Sequence, residues 1–201
     1  DRAECAHEPL FPLPQDKQEM ITYTDQTERM QQQIEQLEQT ADLTVVSVHW
    51  GEENSTTPTD YQRELAQQLT EWGADLIIGT HPHVLQPVEE ITSPNGNRAT
   101  VLYSLGNFIS AQADRANLVG AIAQIEVEKD PSTEKITIHP PQLQPVITCY
   151  QSGYAQLHLL PFCDYTGELG DQRGQPLSRD YIRQLVSSVV DPAFLAEGAL
   201  D

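Results

Sequence analysis

The chain has 201 residues, 38% hydrophobic and 20% charged, which suits one globular domain or a piece of a larger one. Thirty acidic residues against eleven basic ones give a formal net charge of -19, which argues against a surface built to grip nucleic acid or an anionic membrane through Lys and Arg. No run of about 18 apolar residues occurs, so no membrane-spanning helix is expected.

Residues 1 to 24, with Pro9, Pro12 and Pro14, read as an irregular, extended lead-in. This stretch lacks the basic and apolar regions of a signal peptide and opens without Met, as expected of a mature product or a fragment. Residues 25 to 40 read as a helix, capped by Thr24 or Asp25, with one apolar stripe of Met30, Ile34, Leu37 and Ala41. The β-branched run from Leu43 to Val48 reads as a buried strand that ends in the polar loop His49-Trp50-Gly51-Glu52-Glu53. A second helix is predicted from Pro58 to Trp72, with Thr57 as its cap, a stripe of Tyr61, Leu65, Leu69 and Trp72, and Gly73 as its terminator. Asp75 to Gly79 reads as another buried strand, followed by Thr80-His81-Pro82-His83. Strands alternating with helices predict an α/β layered sheet with parallel pairing, and both strands carry their histidines at their C-terminal ends.

Ser93 to Asn97 is a turn signal ahead of a strand and turn over residues 101 to 109. Leu118 to Val127 and Lys135 to Thr148 read as two antiparallel strands joined around Asp130-Pro131-Ser132. The chain then turns irregular, and Ser178 onward predicts a final helix on Tyr181, Leu185 and Val189. The expected division is therefore 1–150 followed by a C-terminal extension, 151–201. Among the three cysteines, Cys149 and Cys163 flank a short polar stretch; a disulfide and two free thiols are both compatible with that spacing, and Cys5 is left over.

Imidazole is a common ligand of zinc, iron and manganese. In extended backbone, residues two apart point the same way, so His81 and His83 would face one site, stiffened by Pro82, with His49 arriving from the neighbouring strand end. A single histidine after a strand is more often a hydrogen-bonded loop residue, and His7, His139 and His158 read that way.

Four blocks together resemble the bacterial capsule-synthesis (CapA, poly-γ-glutamate biosynthesis) family. They are Val45-Val46-Ser47-Val48-His49-Trp50-Gly51-Glu52-Glu53, Gln62-Arg63-Glu64-Leu65-Ala66, Gly73 through Glu89, and Tyr103-Ser104-Leu105-Gly106-Asn107-Phe108. The resemblance covers residues 25 to 127. It implies the C-terminal half of a calcineurin-like metallophosphoesterase fold, two sheets between helices. It also implies two divalent metal ions (Mn, Zn or Fe), with His49, His81 and His83 as ligands, His49 and His81 on one ion and His83 on the other. Glu52, Glu53, Ser104 and Asn107 then fall where a histidine is oriented or substrate is touched; loop solvation and turn geometry are the alternative roles, and packing is the expected role of Trp50. Two departures stand out: Thr80 stands where many members have a second His or another residue, and Glu53 is followed by Asn54 where members often have Tyr, so the acidic match falls on Glu52 or Glu53. The family's Gly-Asp strand end, bridging Asp and Asn-Asn-His motif do not occur before residue 40, so half of the metal shell is expected from elsewhere. The implied activity is metal-dependent hydrolysis of a phosphoester or a related bond, in an extracytoplasmic, envelope-associated polymer-synthesis complex. The alternative is a non-catalytic envelope protein that guides an anionic polymer.

Overall fold

The computed structural model describes residues 22–151, 153, 155–167 and 176–201; the expected lead-in up to residue 21, with Cys5 and His7, lies outside them. Helix α1 spans Thr27–Glu38 and buries Met30 and Ile34, while Leu37 stays exposed. Its N-cap is Gln26, not Thr24 or Asp25, because Tyr23 to Gln26 closes a turn through the Gln26 N–H donating to the Tyr23 carbonyl (2.9 Å). That turn holds both expected caps outside the first helical turn.

Strand β1 is Val45–His49 and alternates instead of being buried throughout: Val48 is inside, while Val45 and Ser47 are exposed. The reason is position, since β1 is an edge strand of its sheet. Helix α2 spans Asp60–Trp72. Its N-cap is Thr59, two residues beyond the expected Thr57, because Thr59 and Gln62 form a reciprocal capping box in which each side chain takes the other's backbone N–H. The buried face is Gln62, Leu65, Ala66, Leu69 and Thr70, which leaves Tyr61 exposed. Gly73 ends the helix at φ 115°, a left-handed position that a side chain would strain.

Strands β2 (Leu76–Thr80), β3 (Val88–Thr92) and β4 (Arg98–Leu102) complete a four-stranded sheet in the order β1-β2-β4-β3. The β1-β2 and β2-β4 pairs are parallel, and the β3-β4 hairpin closes around the turn at residues 93–97. Strand β3 has no counterpart among the predicted elements, and Glu89 within it pairs with Arg63 of α2 at 2.6 Å. The sheet separates two cores by simple alternation along its strands. Ile77 and Val101 face α1 and α2, joining Met30, Ile34, Leu65 and Leu69. Leu76 and Leu102 face the other way.

On that second face lies an antiparallel sheet of β5 (Val119–Gln124), β8 (Gln142–Gln151) and β9 (Ala155–Pro161). Between β5 and β8, strands β6 (Val127–Lys129) and β7 (Ile136–Ile138) pair as a separate ribbon, so the predicted single hairpin is two nested pairs. Residues 155–161 form a strand where irregular structure was expected, because β8 offers its second edge to them. Helix α3, Arg179–Val189, starts at Ser178, whose hydroxyl accepts the Tyr181 N–H. Its buried face is Ile182 and Val186, one position on from the expected stripe, and these join Phe162, Leu118 and Ile147 in the second core. The molecule is thus α/β, with helices, a mixed sheet and an antiparallel sheet in contact through two cores. No helix among the described residues is long and apolar enough to cross a membrane.

Cys149 and Cys163 are both free thiols, which decides between the two alternatives. Cys149 lies buried in β8, and burial pushes its thiol above the ordinary range; Cys163 is exposed in the helical turn Phe162–Asp164. The thiolate is the reactive species. Brief alkylation of the folded protein should therefore modify Cys163 and spare Cys149, with both modified after unfolding, as read by peptide mass spectrometry. Equal labelling of the two in the folded state would contradict the burial of Cys149.

Candidate metal centre

Strands β1 and β2 run parallel and in register from the Val45–Leu76 pair to the His49–Thr80 pair. His49 and Thr80 therefore end their strands side by side, and the next residue in the chain is His81. The Thr80 hydroxyl donates to the Val48 carbonyl (3.2 Å) and lies 3.3 Å from His49 Nδ1. The His49 and His81 rings have their centroids 4.5 Å apart, and those of His81 and His83 are 5.9 Å apart. His81, which is buried, thus sits between the other two.

The route to this convergence differs from the expected one. His81 and His83 are not in extended backbone: their φ angles are 99° and 60°. Two left-handed residues flanking Pro82 curl the loop, so the rings meet over a bend and not along a strand. Left-handed backbone at a non-glycine residue costs on the order of 1–3 kcal/mol and persists where surrounding contacts impose it. Here they do. Asn54, itself at φ 63°, donates its N–H to the Pro82 carbonyl (2.8 Å), locking the loop after β1 to the histidine loop.

This lock brings Glu53 into the site. One donor atom from each of Glu53, His81 and His83 lies within 4.8 Å of the other two. Ligands of one tetrahedral ion about 2.1 Å away sit about 3.4 Å apart, so modest side-chain movement would let this set hold a divalent ion. Among the described residues His49 joins no such group of three. Burial, and then the neighbouring His83, hold His49 below the ordinary imidazole range, which favours the neutral ring that ligates metals. Glu52 is exposed and outside the group; its carbonyl accepts the Ser55 N–H in the loop turn (3.4 Å). Ser104 is buried and its hydroxyl accepts the Gly106 N–H (3.2 Å), a turn-forming role. Asn107 reaches the site directly, with its Oδ1 3.0 Å from His83 Nδ1.

The platform under the site is built by Trp50. It is buried, stacks on Tyr103 with centroids 5.6 Å apart, and donates its indole N–H to the Tyr103 carbonyl (3.0 Å). That bond passes over Gly79 in β2, where a methyl group would overlap both partners. Behind the loop, buried Gln62 donates to Gln86 Oε1 (2.8 Å), and Gln86 donates on to the Ser55 carbonyl (2.9 Å). The loop bearing Glu53 is thereby tied to α2 and to the segment after His83.

A model of the family described as bacterial capsule synthesis protein PGA_cap matches residues 3–112. The chain belongs to this family. Over 97 residues the PGA_cap chain is 39% identical to the PGA biosynthesis protein CapA of Bacillus subtilis (strain 168), a stretch covering 48% of this chain and 24% of that protein. Over 104 residues it is 36% identical to the capsule biosynthesis protein CapA of Bacillus anthracis, covering 52% of this chain and 24% of that protein. An uncharacterized protein, y4sH, of Sinorhizobium fredii (strain NBRC 101917 / NGR234) is 35% identical over 86 residues, covering 43% of this chain and 16% of that protein. The matched region therefore spans about a quarter of the length of the Bacillus relatives. All of the residues gathered around His81, from His49 to Asn107, fall within the family match.

One contributor to this PGA_cap site was not legible in the sequence. Asn117 is buried and donates to the His83 carbonyl (3.2 Å) and to Asn54 Oδ1 (2.7 Å). It lies beyond the family match, in Asp114-Arg115-Ala116-Asn117, with no motif to mark it.

Proposed function

We propose that this chain carries part of a dinuclear, metal-dependent hydrolase site of a CapA-type capsule biosynthesis protein with a calcineurin-like metallophosphoesterase fold. The observation that carries the reading is the group Glu53, His81 and His83, with His49 beside it, at the C-terminal ends of parallel strands. Four donors are too few for two divalent ions, and the remaining ligands are assigned to segments outside this site, of the kind the Bacillus relatives carry beyond the matched quarter of their own length. Bound divalent ions supply Lewis acidity and a water nucleophile active at neutral pH. The chain's own residues do the rest. His49, His81 and His83 present imidazole nitrogens, Glu53 adds a carboxylate opposite a cation, and Asn54, Asn107 and Asn117 hold the loops that carry these donors. The substrate class is a phosphoester or a related electrophilic bond of an envelope polymer, and the place of action is the cell envelope. A purely polymer-guiding role is the weaker reading, because eleven basic residues against thirty acidic ones leave little to hold an anionic chain without metal.

The test is hydrolysis of a generic phosphodiester, bis-p-nitrophenyl phosphate, by the full-length protein and by this chain, each with added manganese or zinc. The full-length protein should turn over substrate and lose that activity in EDTA, and this chain should not. Equal turnover by both would show that the assigned extra ligands are dispensable. Metal binding by the full-length protein without any turnover would favour the polymer-guiding role.

A further inference from the structure

The Asn107 amide has its orientation decided by its partners. Its Nδ2 donates to Gln112 Oε1 (2.8 Å) and to the backbone carbonyl of Asn117 (3.0 Å). A backbone carbonyl only accepts, so the amide nitrogen must face it, and the oxygen must face His83 Nδ1 at 3.0 Å. Flipping the amide would set oxygen against oxygen at Asn117 and nitrogen against His83. An oxygen that only accepts requires a donor, so Nδ1 of His83 carries the proton.

The backbone is shaped for this contact. Gly106, at φ 68°, turns the chain ahead of Asn107, and Gly120 in β5 lets the Asn107 carbonyl approach, where a methyl group would overlap it. The Leu105 carbonyl accepts the Ala121 N–H (2.8 Å), which fixes the turn to the second sheet. Asn117 takes the His83 carbonyl from the same side (3.2 Å). The segment from Leu105 to Asn117 thus grips His83 at both its backbone and its ring.

We propose that Asn107 is a positioning residue that holds His83 as the Nδ1–H tautomer, leaving Nε2 with the lone pair that serves as metal ligand. The tautomer follows from the hydrogen bonds alone; the ligand role rests on the proposed function. A ligating histidine held by a hydrogen bond at its other nitrogen keeps its ring angle and tautomer, and loss of such a partner weakens metal affinity by about 10–100-fold.

Two measurements test this on the full-length, metal-free protein. The first is the long-range 1H–15N spectrum of the histidine rings at about pH 8, where free imidazole is neutral, with His83 assigned from the signal lost in His83→Gln. The expected result is the Nδ1–H pattern in the natural protein and its loss in Asn107→Leu. An Nε2–H pattern for His83 in the natural protein overturns the proposal, even if Asn107→Leu fails to fold. An unchanged pattern in folded Asn107→Leu overturns it as well. The second is titration with Zn2+ by calorimetry: Asn107→Leu should bind about 10–100-fold more weakly. Full affinity in folded Asn107→Leu removes the positioning role. If the natural protein binds no Zn2+, the proposed function fails while the tautomer result stands by itself.

Discussion

His83→Ala in the full-length protein is expected to strip metal from the site, while His139→Ala leaves metal content unchanged. The two histidines differ in surroundings. His83 belongs to the Glu53–His81–His83 group, sits on strained backbone, and is hydrogen bonded through ring and carbonyl. His139 follows β7, with its Nε2 3.6 Å from Glu128 on the surface ribbon, and both side chains are well exposed. Removing a ligand should cost more affinity than the roughly 10–100-fold loss that follows removal of a ligand's hydrogen-bond partner. Removing an exposed histidine should change stability by less than about 0.5 kcal/mol. The check is metal stoichiometry of both purified variants at equal concentration, with melting curves to show that both are folded. Equal metal retention would make the histidine cluster an inherited arrangement without a working centre.

Gly79→Ala should destabilise the protein by at least about 1–3 kcal/mol, the range for forcing atoms into a packed core. The added methyl would overlap the Tyr103 carbonyl oxygen and the Trp50 indole nitrogen, neither of which moves easily. Trp50 is buried and stacked on Tyr103, and Tyr103 follows directly on β4. The substitution would therefore push β1's loop away from β2, separating His49 from His81. Trp50→Phe, which removes the indole donor to the Tyr103 carbonyl and leaves a void where the larger buried ring packed, should cost at least about 1–3 kcal/mol. Urea denaturation of both variants is the measurement. For Gly79→Ala, a midpoint equal to that of the natural protein would mean that Trp50 does not lie over Gly79 in solution.

Local signals were sufficient for much of this molecule. The left-handed Gly73 terminates α2 as its place after an amphipathic stretch implies, and Ser178 caps α3. The turn at residues 93–97 and the paired strands after it follow from turn chemistry and alternation. The parallel pairing of β1 with β2 follows from the strand–helix–strand order. Family membership was legible too, because His49-Trp50-Gly51 and Thr80-His81-Pro82-His83 are contiguous strings that carry their chemistry in residue identity.

What remained hidden depends on neighbours that sequence distance conceals. A β-branched run reads as buried wherever it lies, yet Val45 and Ser47 are exposed because β1 has only one strand beside it among the described residues. Residues 155–161 look irregular alone and become β9 because β8 presents an open edge. The histidine pair shows the same division. Residue identity alone places His81 and His83 two apart after a buried strand. How they meet depends on packing, through left-handed backbone at both residues, held by Asn54 bonding Pro82 and Asn117 bonding His83. Those partners lie tens of residues away along the chain, and left-handed backbone is uncommon at any residue but glycine; long-range hydrogen bonds offset its cost, and such bonds exist only after the sheets have packed.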